Sequence, residues 1–445
     1  DDFFDIGGHS LAAAETLVKL EDVFDVRLPV SALLEAPTVS ALQKRLSAGE
    51  NYETSPSKPD PREDAVLESD ISPEGEAKRV ALAEAENIFL TGATGFLGAF
   101  LLEEFLRRSD ATVHCLARRR EGVSLLASIR ENLADYGLWK REYAERISPV
   151  AGDLSEPLLG LDEETFEELS ETSDLVFHAG AAVNLAYPYS ALRSINVGGT
   201  REVLRFCCRN RTKPLHYIST NGVFPSGTGI CREDADLEPL LDGLDGGYEE
   251  SKWVAEKLVW NVAERGLPVC VYRPGNISGH SESGASNPKD FLTALMAEAI
   301  RVGAAPEVDG WRMEMTPVDF VAAAISEVSN RPDAFGEIYH LANPDPPRAD
   351  EVFDRLEALG RSLERLELDE WLERRPPLEN DLVGGVLGGM YSHDLVDGNL
   401  HDDENTRRIL RRSGLERPGI DDELLAGYLR HFEERAWVPT PQHRA

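Results

Sequence analysis

The sequence predicts an α/β fold, a doubly wound parallel sheet with a smaller C-terminal region, preceded by a truncated all-α segment. Three observations predict it. From Asn87 onward, short apolar runs alternate with amphipathic helical stretches, as buried parallel strands and their crossover helices require. The first of those runs is followed at once by a glycine-rich turn that opens a helix. Residues 1–48 hold only short helical patterns, set apart from the rest by a stretch rich in Pro, Ser and acid.

The 445 residues suggest two or three folding units. Hydrophobic residues make up 42%, enough to fill a sizeable core. Asp and Glu number 80 against 46 Lys and Arg, a formal charge of −34. So acidic a surface repels phosphate backbones and anionic lipid heads, which argues against nucleic acid or a membrane as partner. No apolar stretch approaches the ~20 residues of a spanning helix. The five cysteines (Cys115, Cys207, Cys208, Cys231, Cys270) lack metal-ligand spacing and read as reduced thiols, so no metal is expected and a cytoplasmic location is. The chain starts at Asp1, inside what reads as a motif, and is expected to be a piece of something longer.

In chain order, helical patterns begin at Ser10, at Val30 to Leu34 and at Val39 to Leu46, the last with Thr38 as N-cap. Residues 49–82 have the composition of a linker, partly extended by prolines. Strands follow at Ile88-Phe89-Leu90, Thr112 to Ala117, Leu175-Val176-Phe177, Leu215 to Ser219 and Val269 to Tyr272. Helices fall between them at Phe96 to Arg108 and Asn196 to Arg209.

After the first strand comes Thr91-Gly92-Ala93-Thr94-Gly95-Phe96-Leu97-Gly98. Glycines at these positions let the backbone turn sharply and approach a pyrophosphate, while the helix start offers N–H groups to the anion. The second strand ends in Arg118-Arg119-Arg120. An NAD site places an acid there for the ribose hydroxyls, whereas guanidinium forks suit a 2′-phosphate. NADPH is the expected coenzyme. Further on, Tyr248 and Lys252 are four apart and share a helix face, so the ammonium is expected beside the phenol, favouring its ionisation. Thr220, at a strand end about thirty residues earlier, is placed to bond a carbonyl oxygen that Tyr248 protonates.

With Gly152-Asp153-Leu154, His178-Ala179-Gly180-Ala181, Asn196-Val197-Gly198-Gly199-Thr200, Ser219-Thr220 and Arg273-Pro274-Gly275, these motifs resemble an extended short-chain dehydrogenase/reductase with a Rossmann-type sheet over residues 83–445. The resemblance implies catalysis by Thr220, Tyr248 and Lys252. It implies cofactor contacts from Gly92, Thr94, Gly95, Phe96, Leu97, Gly98, Arg118, Arg119, Asp153, Leu154, Ala179, Gly180, Ala181, Asn196, Tyr248, Lys252 and Pro274. Asp153 and Leu154 would flank the adenine, and Pro274 would lie near the nicotinamide. The substrate would bind mainly to 276–445, where Trp311, Met313 and Met315 line either a pocket or a core.

Asp1-Asp2-Phe3-Phe4-Asp5-Ile6-Gly7-Gly8-His9-Ser10-Leu11 resembles the attachment motif of a thiolation (peptidyl carrier) domain, with Ser10 as acceptor of 4′-phosphopantetheine. Residues 1–48 would be that domain without its first helix. A carrier followed by such a reductase resembles the terminal unit of nonribosomal peptide synthetases, carboxylic acid reductases and aminoadipate reductases. The resemblance implies an upstream adenylation or synthetase domain, a phosphopantetheinyl transferase as partner, and an acyl thioester as substrate. NADPH would give hydride to the thioester carbonyl, Tyr248 the proton, and an aldehyde would leave. Three other readings stand beside it: reduction onward to the alcohol, a nucleotide-sugar epimerase or dehydratase, and a redox-silent carrier-docking module.

Overall fold

The computed structural model describes Thr16, Leu20 and residues 38–47, 59–75, 77–185, 187–376, 382–389 and 398–440. Thr38 caps the helix Val39–Ser47 as expected, its hydroxyl accepting the Ala41 N–H at 3.1 Å. Ser10 lies outside the described residues.

Seven parallel strands build the sheet: β1 Asn87–Thr91, β2 Thr112–Ala117, β3 Ile147–Ala151, β4 Leu175–His178, β5 Leu215–Ile218, β6 Val269–Arg273 and β7 Ile338–His340. Their order across the sheet is β7-β6-β5-β4-β1-β2-β3. The chain reverses direction of travel between β1 and β4, which pair with Thr91 beside His178. A crevice opens at such a switch point, beyond the carboxyl ends of the strands. The five expected strands are all present. The two outer ones, β3 and β7, are additions to the reading.

Alternation along the strands feeds two separate cores. Ile88 and Leu90 of β1 face a layer made by α1 (Phe96–Arg108) and, further along the chain, Val318–Ser329. Phe89 faces the opposite layer, made by α2 (Gly199–Cys208) and α3 (Gly247–Glu264). The expected helix from Asn196 is divided: Ser194–Gly198 forms a π turn and α2 continues from Gly199. A third cluster joins Phe291–Val302, Ala349–Ala358 and Asp422–Glu434 around Trp371, Phe353 and Phe432. Trp311, Met313 and Met315 are buried in it, so they are core. All five cysteines are free and buried. Among the described residues no helix is long and apolar enough to cross a membrane.

The stretch 49–82, expected to be a linker, differs from about Asp60 onward. Leu67 and Ile71 are buried against α2 and α3, and Val80 and Leu82 against α1 on the other face. The strap thus passes from one face of the sheet to the other before entering β1. Its polar residues hold it down. Asp64 is buried, gripped by the Arg193 guanidinium and the Tyr189 hydroxyl. Arg265, at the end of α3, donates to the carbonyls of Leu67, Glu68 and Ile71. The Arg193 contact holds the Asp64 carboxyl below the usual carboxylate range. The contribution is therefore complete above the unfolded pKa and is lost as pH falls through the lower folded value. Asp64→Ala strands the Tyr189 hydroxyl and the guanidinium, and is expected to cost about 1–3 kcal/mol in denaturant unfolding. An unchanged midpoint would show the strap to be held by its apolar residues alone.

Candidate active site

The β1–α1 turn is built as a cradle. Gly92 has φ +84°, and a Cβ there would stand 2.7 Å from the Ala179 carbonyl carbon and the Gly180 nitrogen. A Cβ on Gly98 would collide with the Gly92 carbonyl. No other residue type fits either place. Gly95 caps α1 without a side-chain bond, leaving first-turn N–H groups available to an anion. Thr94 and Gly95 are exposed at the tip, with Phe96 and Leu97 half-buried behind. Asn132, which sequence reasoning missed, pins the loop by donating to the carbonyls of Ala93 and Gly95 at 3.1 and 3.0 Å.

Around the cradle the remaining expected residues fall as follows. Arg118, Arg119 and Arg120 are exposed beyond β2, and no carboxylate pairs with them among the described residues. Three adjacent cations at one strand end are a local exception in a chain of charge −34. The Asp153 carboxylate accepts the Ser155 N–H and hydroxyl, and the Leu154 side chain abuts Gly180. Ala179, Gly180 and Ala181 are half-exposed beyond β4. Asn196 is buried behind them: its amide exchanges two hydrogen bonds with the Ala182 backbone and donates to Ser251. It shapes the loop and does not itself face the crevice. Pro274, beyond β6, accepts the Asn221 N–H at 2.9 Å, tying the ends of β5 and β6 together. Together the glycine cradle, the uncapped helix start and the arginines suit a phosphorylated dinucleotide.

Thr220 and Tyr248 are brought together. Thr220 lies two residues beyond β5 and caps the turn Asn221–Val223, its hydroxyl accepting the Gly222 N–H at 3.1 Å. Tyr248 lies in the first turn of α3, and its phenol is a neighbour of the Thr220 hydroxyl. Burial pushes the phenol above its ordinary pKa, Glu249 adds to this, and Thr220 opposes it. Lys252 is on the same face one turn later, but its ammonium does not bond Tyr248. It donates to the Tyr217 hydroxyl at 2.7 Å and the Ile218 carbonyl at 2.8 Å. Burial lowers its pKa to about 7, with Glu256 opposing. The phenol is therefore a proton donor through the neutral range. The expected lowering of the Tyr248 pKa by Lys252 is not what this geometry produces.

Sequence reasoning also missed what lies under the site. Glu256, one turn beyond Lys252, forms a fully buried ion pair with Arg273 and accepts the Ser219 hydroxyl at 2.5 Å. Arg273 in turn meets His340 at 3.1 Å. These polar contacts fix the ends of β5, β6 and β7 to α3. Ser219 and Arg273 stand in the motifs quoted above, whereas the sequence signal of Glu256 was that it continues the i, i+4 face of Tyr248 and Lys252.

The fold and this site define a dinucleotide-dependent oxidoreductase. The chain belongs to the NAD-binding family described as male sterility protein, whose model matches residues 90–325, and the phosphopantetheine attachment site family matches residues 1–46. It is 40% identical to glycine betaine reductase ATRR of Emericella nidulans over all of this chain and 36% of that protein. It is 35% identical to a linear gramicidin synthase component of Brevibacillus parabrevis, over all of this chain and 9% of that one. Among solved structures, the terminal R domain of the myxalamid PKS-NRPS pathway superposes with a TM-score of 0.80 at 41% identity, covering 86% of this chain and 99% of that domain. The chain thus joins a carrier segment to a reductase of the nonribosomal peptide synthetase type, and spans about a third or less of these two curated relatives.

Proposed function

We propose that the chain reduces an acyl thioester held on its own carrier segment, with NADPH as coenzyme, and releases the acyl group as an aldehyde. The observation that carries this reading is the meeting of Thr220 and Tyr248 at the crevice opened by the β1 cradle, in a chain that also matches a carrier family. The bound coenzyme would supply hydride. The chain's own groups do the rest. Tyr248, kept protonated by burial, gives a proton to the carbonyl oxygen, and the Thr220 hydroxyl bonds the same oxygen as charge develops. Lys252, with two of its three donors held by Tyr217 and Ile218, has one left for the crevice. Ser10 is the proposed attachment point of 4′-phosphopantetheine. Residues 1–48 form the proposed carrier, and 83–445 the reductase, to which the strap from Asp60 also belongs. Upstream synthetase domains and a phosphopantetheinyl transferase are the proposed partners.

Single turnover of the loaded carrier with excess NADPH tests the product. One NADPH consumed per acyl group, with trapped aldehyde, is expected. Two, with alcohol alone, would replace aldehyde release with four-electron reduction. The coenzyme is tested separately. Replacing Arg118 and Arg119 by alanine is expected to weaken NADPH binding by about 10–100-fold through lost charge-assisted bonds, with NADH binding little changed. Equal losses would remove the 2′-phosphate assignment.

A further inference from the structure

We propose that Tyr217 is the positioning residue for Lys252, and that a buried hydrogen-bonded cluster of Thr200, His178 and Thr91, with the His178 ring packed on Tyr217, holds that tyrosine at the strand end bearing the phosphate cradle. The proposal rests on the reading of Lys252 as part of the catalytic machinery and adds to it the means by which the lysine is held.

The cluster can be followed proton by proton. Thr200 has one hydroxyl proton and donates it to the Asn196 carbonyl at 2.6 Å. Its oxygen must then accept from its other neighbour, the His178 Nε2, at 3.1 Å. His178 is thereby assigned the Nε2–H tautomer, so its Nδ1 accepts the Thr91 hydroxyl at 2.8 Å. Thr91 in turn accepts the Gly180 N–H at 3.0 Å. The His178 ring packs against the Tyr217 ring, centroids 5.6 Å apart, and the Tyr217 oxygen accepts from Lys252. Every proton has one direction and every member is buried. Burial, with Lys252 nearby, lowers the His178 pKa to about 3, so the ring is neutral and the tautomer persists. Thr91 and His178 face each other across β1 and β4, at the switch point itself.

A buried network could serve stability alone. Two features point further. Tyr217 meets the buried ammonium twice: its hydroxyl accepts from the Lys252 Nζ, which also lies 4.4 Å from its ring centroid, so hydroxyl and π face both meet the cation. The groups around Lys252 are Tyr217 and the Ile218 carbonyl from β5, His178 from β4, and Tyr248 and Glu256 from its own helix. Of these only Tyr217, Ile218 and Glu256 favour the charged lysine. Removing the Tyr217 hydroxyl therefore lowers the lysine pKa further and frees its head to move.

The experiment uses the full chain, a free acyl-pantetheine thioester and NADPH. Tyr217→Phe is expected to lower kcat by about 10–100-fold at pH 8, with NADPH affinity within about threefold. The alkaline limb of the kcat profile should move about one unit to lower pH, so that activity partly returns near pH 6. Thr200→Val should act in the same direction and Thr200→Ser should restore the wild-type profile; these carry the test if Tyr217→Phe fails to fold. A wild-type kcat and pH profile in both Tyr217→Phe and Thr200→Val overturns the proposal, as does a loss that follows NADPH affinity. Lys252→Ala separates the two readings: if it retains activity, the catalytic reading of Lys252 fails, whatever Tyr217→Phe does.

Discussion

Tyr248→Phe is expected to slow NADPH oxidation with a free acyl-pantetheine thioester by about 10³-fold, because a positioned general acid contributes in that range. The substitution keeps the ring and removes only the proton donor. Coenzyme affinity should stay within about threefold, since the cradle at Gly92 to Gly98 and the arginines beyond β2 are untouched. Thr220 sharpens the prediction. Its hydroxyl lies beside the Tyr248 phenol and caps the Asn221–Val223 turn, so Thr220→Val loses both the polar neighbour and the cap while Thr220→Ser keeps them. The pH dependence follows from the direction of each shift. Burial holds the Tyr248 phenol protonated well past neutrality, so its own titration does not limit the rate between pH 6 and 9. Lys252, lowered to about 7, is the group that loses its charge in that interval, and a fall in kcat toward alkaline pH should be its signature. Tyr248→Phe with activity within tenfold of the parent would remove the phenol as proton donor.

The strands at the centre of the sheet were legible and the edges were not. β1, β4 and β5 are buried on both faces and read as short, mainly apolar runs. β3 carries Pro149 and is only partly buried, and β7 is three residues long. Both are edge strands, where a missing N–H is tolerated. Composition misled at the strap for a related reason. Asp64, Asp70 and Glu74 count toward disorder in a sum of residue types, yet each meets an arginine on the body of the reductase. At the site, motif order placed Thr220, Tyr248 and Lys252 correctly on their elements. It could not show that Lys252 turns toward Tyr217, because that pairing spans 35 residues between a strand and a helix. Only the packing of α3 on β5 creates it. Asn196 shows the same limit: its position in the motif was legible, but not that its amide is wholly engaged by Ala182 and Ser251.

Ser10→Ala is expected to abolish reduction of the tethered substrate altogether while leaving the free thioester a normal substrate. The segment around it matches the phosphopantetheine attachment family, and serine is the one hydroxyl in Gly7-Gly8-His9-Ser10-Leu11. Without that oxygen no phosphodiester can form, so the effect on loading is all or none. The effect on rate is a matter of concentration. A flexible tether of this length presents its thioester at an effective concentration in the millimolar range, whatever the bulk concentration. The free acyl-pantetheine must reach that level by itself, so its apparent affinity should be weak but equal in parent and Ser10→Ala protein. The parent should therefore reduce a loaded acyl group in single turnover at a rate independent of protein concentration, and Ser10→Ala should not reduce it at all. Intact-mass measurement after incubation with a broad-specificity transferase reads the loading directly. A gain of the arm's mass by Ser10→Ala would move the attachment point elsewhere. Loss of activity toward the free thioester would mean instead that the carrier segment itself shapes the reductase crevice.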